Sequence, residues 1–335
     1  MRSLLVTGLY FCSLFGGFSR ITVIQKTEID GYAQGTTYHI TYYAANSPVN
    51  KKQVDSILNK IDSSLSLYKP YSLINQFNNS DSGTLVDDHL MNVLAASFAT
   101  YKATHGLFDI TVEPLVQAWG FGAKKNTGLP DSNTIQQILT CVGSNKLVLN
   151  NTFLGKQKPC VKIDMNGIAQ GYSVDVLAIF LELNSIKNYI VEVGGELRVQ
   201  GRKPNNEKMK IGIESPPDDE VEADIFEHVI ELDSGAITTS GNYRKYYESG
   251  GKKISHLIDP RSGYSIQNEM ISVTVYAKDA ITADAFDNAL MVMGRDSALR
   301  FIEQQKEMAA YIIYRKPNGA VADTASTRFY KLMTH

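Results

Sequence analysis

The stretch NYIVEVGGELRVQG, residues 188–201, opens the part of the chain that decides its fold class. Its residue pattern is typical of strands, and the stretches KMKIGIES, HVIELD and the alternating EMISVTVYA predict further strands. Helices are predicted to return at 280–292 and 295–305, and MAAYIIYR is predicted to form a last inner strand. The C-terminal part of the chain is therefore expected to be rich in strands.

The first half of the chain is predicted to be mainly helical. Apolar residues recur at helical spacing in 51–65 and 87–106, and two more helices are predicted over 129–143 and 166–186. The fourth helix follows a short predicted strand, CVKID, at 160–164. Helices mixed with largely antiparallel strands, without a steady βαβ rhythm, predict an α+β fold rather than a doubly wound sheet.

Composition limits the function classes. The 335 residues are 43% hydrophobic and 20% charged, which is typical of a soluble globular protein. The net charge is −2, and the Lys and Arg residues are spread along the chain instead of clustering. A nucleic-acid-binding surface is therefore not predicted.

The N-terminal stretch MRSLLVTGLYFCSLFGGF, residues 1–18, differs from the rest. One early Arg is followed by an apolar run that is too short and too Gly-rich for a membrane span. Residues 1–20 are therefore predicted to be a leader, and the mature chain is expected to be exported. A buried N-terminal strand or helix is the structural alternative. Lipid anchoring through Cys12 is a further alternative, although Phe11 is bulky where a small residue is expected.

The other two cysteines, Cys141 and Cys160, bracket a stretch that is predicted to be a strand, a turn and a second strand. In an oxidising compartment the two thiols could pair across this unit. Two separate small core residues are an equally good interpretation. No CxxC spacing is present, so neither a zinc ribbon nor a thioredoxin-type site is predicted.

Several stretches carry residues suited to chemistry, although the common nucleotide signatures GxxxxGK[ST] and GxGxxG are absent. In KIDMNGIAQGYSVDVL, Gly167 and Gly171 flank a predicted helix start, where a ligand can approach the backbone and an anion is favoured. A tight turn that needs glycine for geometry alone explains the same pattern. In SHLIDPRSG, His256 precedes Asp259 by three residues, and a lone histidine is more often structural than catalytic.

The stretch ITADAFDNAL, residues 281–290, places carboxylates among apolar residues of a predicted helix. Residues four apart share a helix face, so Asp284 and Asn288 point the same way and Asp287 flanks them. Two oxygen donors one turn apart form a partial site for Mg²⁺, which takes few ligands from protein and the rest from water and phosphate. A helix-capping role for Asp284 is the structural alternative.

Taken in order, these motifs resemble those of the FAD:protein FMN transferase (ApbE) family. The resemblance covers most of the chain after residue 30, and a single domain is expected over 25–335. The matching stretches are QGTTYHITYY, YKPYSLINQFN, GLFDITVEPLVQAWGFG, DMNGIAQGYSVD, VEVGGELRVQG, SGNYR, SHLIDPRSG and TADAFDNALMVMG.

The resemblance implies an activity in which FAD is a substrate rather than a retained cofactor. The FMN half of FAD would be transferred to a Thr or Ser hydroxyl of a target protein, with Mg²⁺ required and AMP released. The implied targets are flavin-carrying subunits of membrane redox pumps. The implied location is periplasmic, on the outer side of the cytoplasmic membrane, which agrees with the export prediction.

The resemblance also implies site residues. The metal would be held by Ala169, through its backbone carbonyl, and by Asp284 and Asn288. His256 matches a family histidine often considered the catalytic base, and Asp284 would be catalytic through the metal. Flavin contacts would be made by Gln34, Tyr68, Leu107, Phe108, Asp109, Asn166, Tyr172 and Ile258.

The chain departs from the family pattern at four positions. Gln34 stands where many members have Met, Gln170 where Lys is common, Asn288 where Thr is usual and Leu73 where Glu is frequent. The amide oxygen of Asn288 can still bind Mg²⁺, whereas Gln170 removes a positive charge beside the phosphates.

Three rival functions follow from the same sequence. Water could replace the protein hydroxyl, which would give an FAD pyrophosphatase that yields FMN and AMP. A non-catalytic periplasmic flavin-binding protein would need the pocket but not the metal helix, so Asp284 argues against it. A solute-binding or adhesive protein would have no flavin affinity.

Overall fold

The computed structural model describes residues 23–124, 128–213, 228–243, 246–249 and 252–333. The predicted leader, residues 1–20, and Cys12 lie outside the described residues. Within them an eight-stranded sheet forms the centre of the molecule, and every strand pair is antiparallel. The predicted α+β class, with largely antiparallel strands and flanking helices, is confirmed.

Strands and α-helices follow one another along the described part of the chain. The strands are β1 (Gln25–Ala33), β2 (Thr36–Ala44), β3 (Gly83–Leu85), β4 (Leu147–Asn150), β5 (Phe153–Lys156), β6 (Tyr189–Val193), β7 (Glu196–Gln200), β8 (Met209–Ile213), β9 (His228–Leu232), β10 (Ser234–Gly241), β11 (Tyr246–Ser249), β12 (Lys252–Ser255), β13 (Met270–Ala277), β14 (Ala309–Arg315) and β15 (Val321–Ala325). The α-helices are α1 (Lys51–Leu65), α2 (Leu73–Asn79), α3 (Asp88–Ala103), α4 (Glu113–Ala118), α5 (Ser132–Leu139), α6 (Ala169–Leu183), α7 (Ala280–Met293), α8 (Arg295–Glu303) and α9 (Thr327–Tyr330).

The central sheet has the strand order β1-β2-β6-β7-β10-β13-β14-β15. The stretch at 188–201 supplies its middle, because β6 and β7 form a hairpin with Val193 opposite Glu196. Gly194 and Gly195 make the turn with φ of 69° and 110°, which are values that side chains other than glycine rarely adopt. The turn brings its backbone to the edge of the cavity described below.

Helices α6 and α7 lie side by side on one face of this sheet. Leu177 and Leu181 of α6 pack with Tyr38 and Ile40 of β2 in one buried cluster. In a second cluster Leu290 of α7 packs with residues of β13 and α8. Burial of these side chains fixes both helices against the sheet, at roughly 1.5–3 kcal/mol for each fully buried large apolar residue.

The other face of the sheet is covered by the β8–β9 hairpin and the short helix α9. Ile211 and Ile230 of the hairpin pack with Ile237, Tyr311 and Phe329. Both faces of the central strands are therefore buried, so several strands are apolar over most of their length instead of alternating strictly. Met270–Ala277 is such a strand, with one half-buried residue in eight.

One predicted strand is wrong. Residue 160 lies in a turn, and residues 161–164 belong to no strand and join no sheet. Their hydrogen bonds go elsewhere: Asn78 donates to the Ile163 carbonyl and accepts from the Ile163 N–H, both at 2.8 Å, and the Asp164 N–H donates to Ile110. A side chain thus replaces a neighbouring strand, which sequence periodicity does not reveal.

The structure pairs Cys141 with Cys160, with 5.6 Å between their Cα atoms. The pairing closes the unit that contains the predicted strand, turn and strand, which are β4 and β5. Of the two interpretations of these cysteines, the disulfide is the one observed.

Replacing both cysteines with serine is expected to lower the free energy of unfolding by about 2–4 kcal/mol, because the bond constrains the unfolded chain. Urea unfolding of the oxidised protein and of the double variant, each with and without dithiothreitol, measures this. The reductant should destabilise only the unsubstituted protein. Two reactive thiols in the unfolded, unreduced protein would contradict the pairing.

Candidate active site

A cavity of about 430 Å³ opens beside the N-terminal end of α6 and the face of α7 that carries Asp284, Asp287 and Asn288. Eight separate segments of the chain contribute to its wall, including the β1–β2 turn, the β6–β7 turn and α7. The predicted site residues found in this wall are Gln34, Tyr68, Leu107, Phe108, Asp109, Asn166, His256, Ile258, Asp284 and Asn288. The fold therefore brings together residues that are up to about 250 positions apart in the sequence, whereas their individual roles stay predictions.

Two predicted residues, Ala169 and Tyr172, are not in the cavity wall. Tyr172 is buried in the apolar cluster that includes Phe108, and its hydroxyl lies 2.9 Å from Nδ1 of His89. It therefore lies behind the wall. The Ala169 carbonyl lies in the first turn of α6 and accepts a hydrogen bond from the Ser173 hydroxyl at 2.8 Å.

Helix α7 carries the two carboxylates that decide the chemistry of the site. Asp284 is 4% exposed and Asp287 1% exposed, and both contribute to the cavity wall. The structural alternative for Asp284 is wrong, because the helix is capped by Asp279, whose carboxylate accepts from the Thr282 N–H. Asp284 lies more than one turn inside the helix and faces α6 instead.

Burial governs the electrostatics of this pair. It raises the pKa of Asp284 to about 7, and the Gly171 N–H, which donates to its Oδ2 at 2.8 Å, opposes the rise. Burial, followed by the charge of Asp284, holds the pKa of Asp287 well above its usual range. In the described part of the chain, neither carboxylate forms an ion pair with Lys or Arg. Two buried carboxylates without a cation are costly, so a cation brought from outside would stabilise them.

Asn288 is oriented by the oxygens around it. Its Nδ2 lies 2.9 Å from the Asp284 carbonyl, 2.9 Å from the Asp287 carboxylate and 3.3 Å from the Gly167 carbonyl. Since the two carbonyl oxygens can only accept, the nitrogen must face them, and Oδ1 faces the other way. Oδ1 has one weak contact with the Ser240 hydroxyl, at 3.5 Å.

These residues fit Mg²⁺. The donor set would be the Asp284 carboxylate, the Asn288 amide oxygen and the Ala169 carbonyl, all hard oxygen ligands. No group of three or more His, Cys, Asp or Glu side chains suited to a metal occurs among the described residues.

Gly171 allows α6 and α7 to approach this closely. A Cβ atom at this position would lie 2.4 Å from the Ala280 carbonyl oxygen and 2.7 Å from Cβ of Asp284. Both contacts involve atoms that cannot swing away. The glycine is therefore required by the packing of the two helices, and the same approach delivers its N–H to Asp284.

The segment with Leu107, Phe108 and Asp109 is held rigidly. The Asp109 carboxylate accepts from the N–H and hydroxyl of Thr111 and from the N–H and hydroxyl of Ser144, at 2.7–3.0 Å. Because these bonds occupy the carboxylate, Asp109 shapes the wall more than it offers a charge to a ligand. Phe108 and Leu107 beside it supply apolar surface.

His256 enters the cavity from the loop after β12, next to Ile258. The edge of its ring lies against Phe121, with 6.2 Å between the ring centroids. The loop is anchored by Trp119, whose indole N–H donates to the Gly263 carbonyl at 2.7 Å. The histidine and the carboxylate helix thus line the same cavity.

Gln34 presents an acceptor with no hydrogen-bond partner among the described residues. Its Nε2 lies 2.7 Å from the Ser173 hydroxyl, whose single proton is already given to the Ala169 carbonyl. The serine oxygen must therefore accept, which fixes the amide orientation and leaves Oε1 buried and unpaired. Met at this position could not supply such an acceptor.

Sequence reasoning did not assign roles to several residues of the wall, notably Asp287, Glu196, Thr239 and Ser240. Asp287 lies three positions after Asp284 in a stretch already singled out, so helical spacing was a usable signal. Glu196 follows the Gly-Gly pair of the β6–β7 turn, and only strand pairing shows that this turn reaches the cavity.

Comparison with solved structures places the chain in the class of flavin transferases. The flavin transferase ApbE of Vibrio cholerae has a TM-score of 0.83 and 30% identity, over 92% of this chain and all of that one. The apo flavinyl transferase ApbE of Pseudomonas stutzeri has a TM-score of 0.83 and 31% identity, over 92% and 97%.

The ApbE family model matches residues 34–312, and the chain belongs to the ApbE family. A curated relative from Haemophilus influenzae, named FAD:protein FMN transferase, is 35% identical over 318 residues, which are 91% of each chain. One from Escherichia coli K12 with the same name is 31% identical, over 94% of this chain and 92% of that one. The family and the transferase enzyme identified from the motifs are confirmed.

A membrane-spanning helix must be long and apolar over most of its length. None of the described helices is long and apolar enough to cross a bilayer.

Proposed function

We propose that this enzyme transfers the FMN moiety of FAD to a Thr or Ser hydroxyl of an acceptor flavoprotein and releases AMP. The observation that carries the proposal is the buried carboxylate of Asp284, set beside the oriented amide of Asn288 in a cavity with apolar and aromatic walls. The pyrophosphate of FAD needs a cation, which the carboxylate and the amide can bind. The isoalloxazine ring needs the apolar and aromatic walls.

The role that we propose for each residue follows from its position in the cavity. Leu107, Phe108 and Ile258 supply apolar surface for the ring, and Tyr68 lines the same cavity with much of its side chain exposed. Asp284, Asn288 and the Ala169 carbonyl would hold Mg²⁺. When bound, this ion neutralises pyrophosphate charge and stabilises the oxygen that leaves with AMP. The chain itself orients the reactants and excludes water, on which phosphoryl transfer chiefly depends.

The bond changes are an in-line displacement. The acceptor hydroxyl oxygen forms a bond to the phosphorus of the FMN half, the bond from that phosphorus to the bridging oxygen breaks, and AMP departs with the bridging oxygen. The hydroxyl proton passes to a base of the site. His256 is the candidate in the cavity wall, and the cavity carboxylates are the alternative.

His256→Gln is expected to lower kcat about 10²-fold and to leave KM for FAD within about threefold, because a general base acts on the acceptor hydroxyl and not on FAD binding. Steady-state kinetics with a saturating acceptor measure both constants. His228→Gln, at a histidine outside the cavity wall, is the matched control. An unchanged kcat would assign proton removal to a carboxylate.

Two observations favour the transferase over its rivals. A flavin-binding protein would gain nothing from two buried carboxylates without a cation. The relatives named above carry the name of a transferase and not of a pyrophosphatase. Incubation with FAD and Mg²⁺, with and without an acceptor domain, separates the functions: acceptor-independent AMP indicates a pyrophosphatase, and bound but unchanged FAD indicates a binder.

We further propose that the enzyme acts outside the cytoplasm, on subunits of membrane redox pumps, with Cys12 as an alternative lipid anchor. The apolar stretch at 1–18 and the Cys141–Cys160 disulfide support export, since disulfides persist in oxidising compartments. Cell fractionation should recover the chain, without its leader or anchored through it, in the periplasmic or membrane fraction. An intact chain with Met1 in the cytoplasm would contradict export.

A further inference from the structure

Asp175 lies on α6 one turn after Gly171, and its buried carboxylate faces the start of α7. Its Oδ1 accepts from the Ala280 N–H at 3.0 Å, and its Oδ2 accepts from the Ile281 N–H at 2.8 Å. These are the first two amides of α7, which have no partner within the helix. Arg198 of β7 donates to Oδ1 at 2.8 Å and holds the carboxylate from the sheet side.

The contacts of Asp175 and Gly171 set the register between two helices. Gly171 donates to Asp284, and Asp175 accepts from Ala280, so the partners are four residues apart on each helix. A shift of α7 along α6 would break both contacts together. At Gly171 the two helices are in direct contact, because the glycine has no Cβ to separate them. Helix α7 therefore has no room to move closer to α6.

This register controls the distance between two of the oxygens assigned to Mg²⁺. The Ala169 carbonyl belongs to α6 and the Asp284 carboxylate to α7. Mg²⁺ demands near-ideal octahedral geometry at about 2.0–2.1 Å, so small errors in this distance weaken binding. Asp175 and Gly171 therefore act on the metal site through the two helices that they join.

Arg198 also compensates the negative charge of Asp175. Without it, Asp175 would add a further uncompensated carboxylate near Asp284 and Asp287. The Arg198 side chain is 19% exposed and that of Asp175 is 9% exposed, so solvent screens this pair little. The ion pair with Arg198 therefore offsets the charge of Asp175 behind the site.

We propose that Asp175, held by Arg198, is a positioning residue that sets the affinity of the site for its divalent cation. The inference rests on the proposed function, because that function assigns the cation to Ala169, Asp284 and Asn288. Asp175 touches neither the cation nor the substrate, and it acts by fixing the first turn of α7 on α6.

Asp175→Asn tests this inference, because the side chain keeps its shape but offers one acceptor oxygen where two are used. Mn²⁺ serves as the probe, with FAD present and no acceptor, and free Mn²⁺ is measured by electron paramagnetic resonance. We expect binding about tenfold weaker than in the unsubstituted protein. KM for FAD should change much less than the Mg²⁺ concentration required for half-maximal activity.

Two companion variants complete the design. Arg198→Lys keeps the charge but loses the guanidinium geometry, and it should weaken Mn²⁺ binding about threefold even if Asp175→Asn fails to fold. Asp233→Asn is the matched control, since it breaks the exposed Arg202–Asp233 pair, whose side chains are 41% and 45% exposed. It should bind Mn²⁺ as the unsubstituted protein does.

The outcomes separate this inference from the function on which it rests. Folded Asp175→Asn and Arg198→Lys variants that bind Mn²⁺ within twofold of the unsubstituted protein would show that these residues only stabilise the fold, and would overturn the inference. If the unsubstituted protein with FAD binds no Mn²⁺, the metal site of the proposed function is itself wrong. Weaker binding in both variants, with the control unchanged, supports the inference.

Discussion

Asp284→Asn is expected to lower kcat about 10²–10³-fold while the protein stays folded. The change keeps the shape of the side chain, and an amide oxygen can still accept from the Gly171 N–H. It removes the charge that would hold the cation against the pyrophosphate, and loss of one preorganised electrostatic contact typically costs this much. Because the carboxylate is buried and lacks a cationic partner, its neutral replacement should not destabilise the metal-free protein.

The signature of this variant is in the response to Mg²⁺. Mg²⁺ with FAD should raise the unfolding midpoint of the unsubstituted protein and leave that of Asp284→Asn nearly unchanged, since ligands stabilise only the state that binds them. Asp279→Asn is the matched control on the same helix, because Asn caps a helix as well as Asp does and the residue is not in the cavity wall. An Asp284→Asn protein that unfolds early and keeps its Mg²⁺ dependence would indicate a structural role.

An acceptor is expected to raise the rate of AMP release at least about 10²-fold, which corresponds to about 2.7 kcal/mol of barrier. Transfer and hydrolysis break the same bond, and only the attacking oxygen differs. A docked hydroxyl held in line can gain roughly 7–11 kcal/mol over a freely diffusing nucleophile, so the expected rise lies well within reach. AMP is measured over time with FAD and Mg²⁺ alone and after addition of an acceptor domain.

The faster release of AMP should depend on the hydroxyl of the target Thr in the acceptor. An acceptor domain with the target Thr changed to Ala should fold normally and leave the rate of AMP release at the level of FAD hydrolysis alone. Equal rates of AMP release with and without the acceptor would replace the transferase by the pyrophosphatase.

Much of the fold follows from local pattern. The helix predicted at 51–65 has these bounds in the structure, and the helix predicted at 280–292 extends to Met293. Both combine helical spacing of apolar residues with a capping side chain, from Asn50 and Asp279. Such helices are specified within a few residues of sequence, which is why they can be predicted.

What the sequence did not reveal depends on contacts between distant segments. The strand predicted at 160–164 finds its partner in the side chain of Asn78 and joins no sheet. Strands β1, β10 and β15 were not predicted, and β10 carries Thr239 and Ser240 into the cavity wall. Their existence is decided by neighbouring strands, so their own residues give a weak signal.

The site residues also divide into those that a local pattern reveals and those that depend on contacts between distant segments. The polar face of α7 was recognised from helical spacing, because Asp284 and Asn288 lie one turn apart. The family resemblance supplied Gln34 and His256, which come from segments more than 200 residues apart. Neither source could show that Tyr172 lies behind the wall or that Asp175 ties α6 to α7, because both depend on how the helices pack.

The most direct test of the central claim is the intact mass of an acceptor domain after incubation with this enzyme, FAD and Mg²⁺. The transferase account predicts that the acceptor gains one FMN through a phosphoester and becomes fluorescent under denaturing conditions. The Thr→Ala acceptor and the Asp284→Asn enzyme should each give no gain. Free FMN and AMP in equal amounts, with the mass of the acceptor unchanged, would contradict the account.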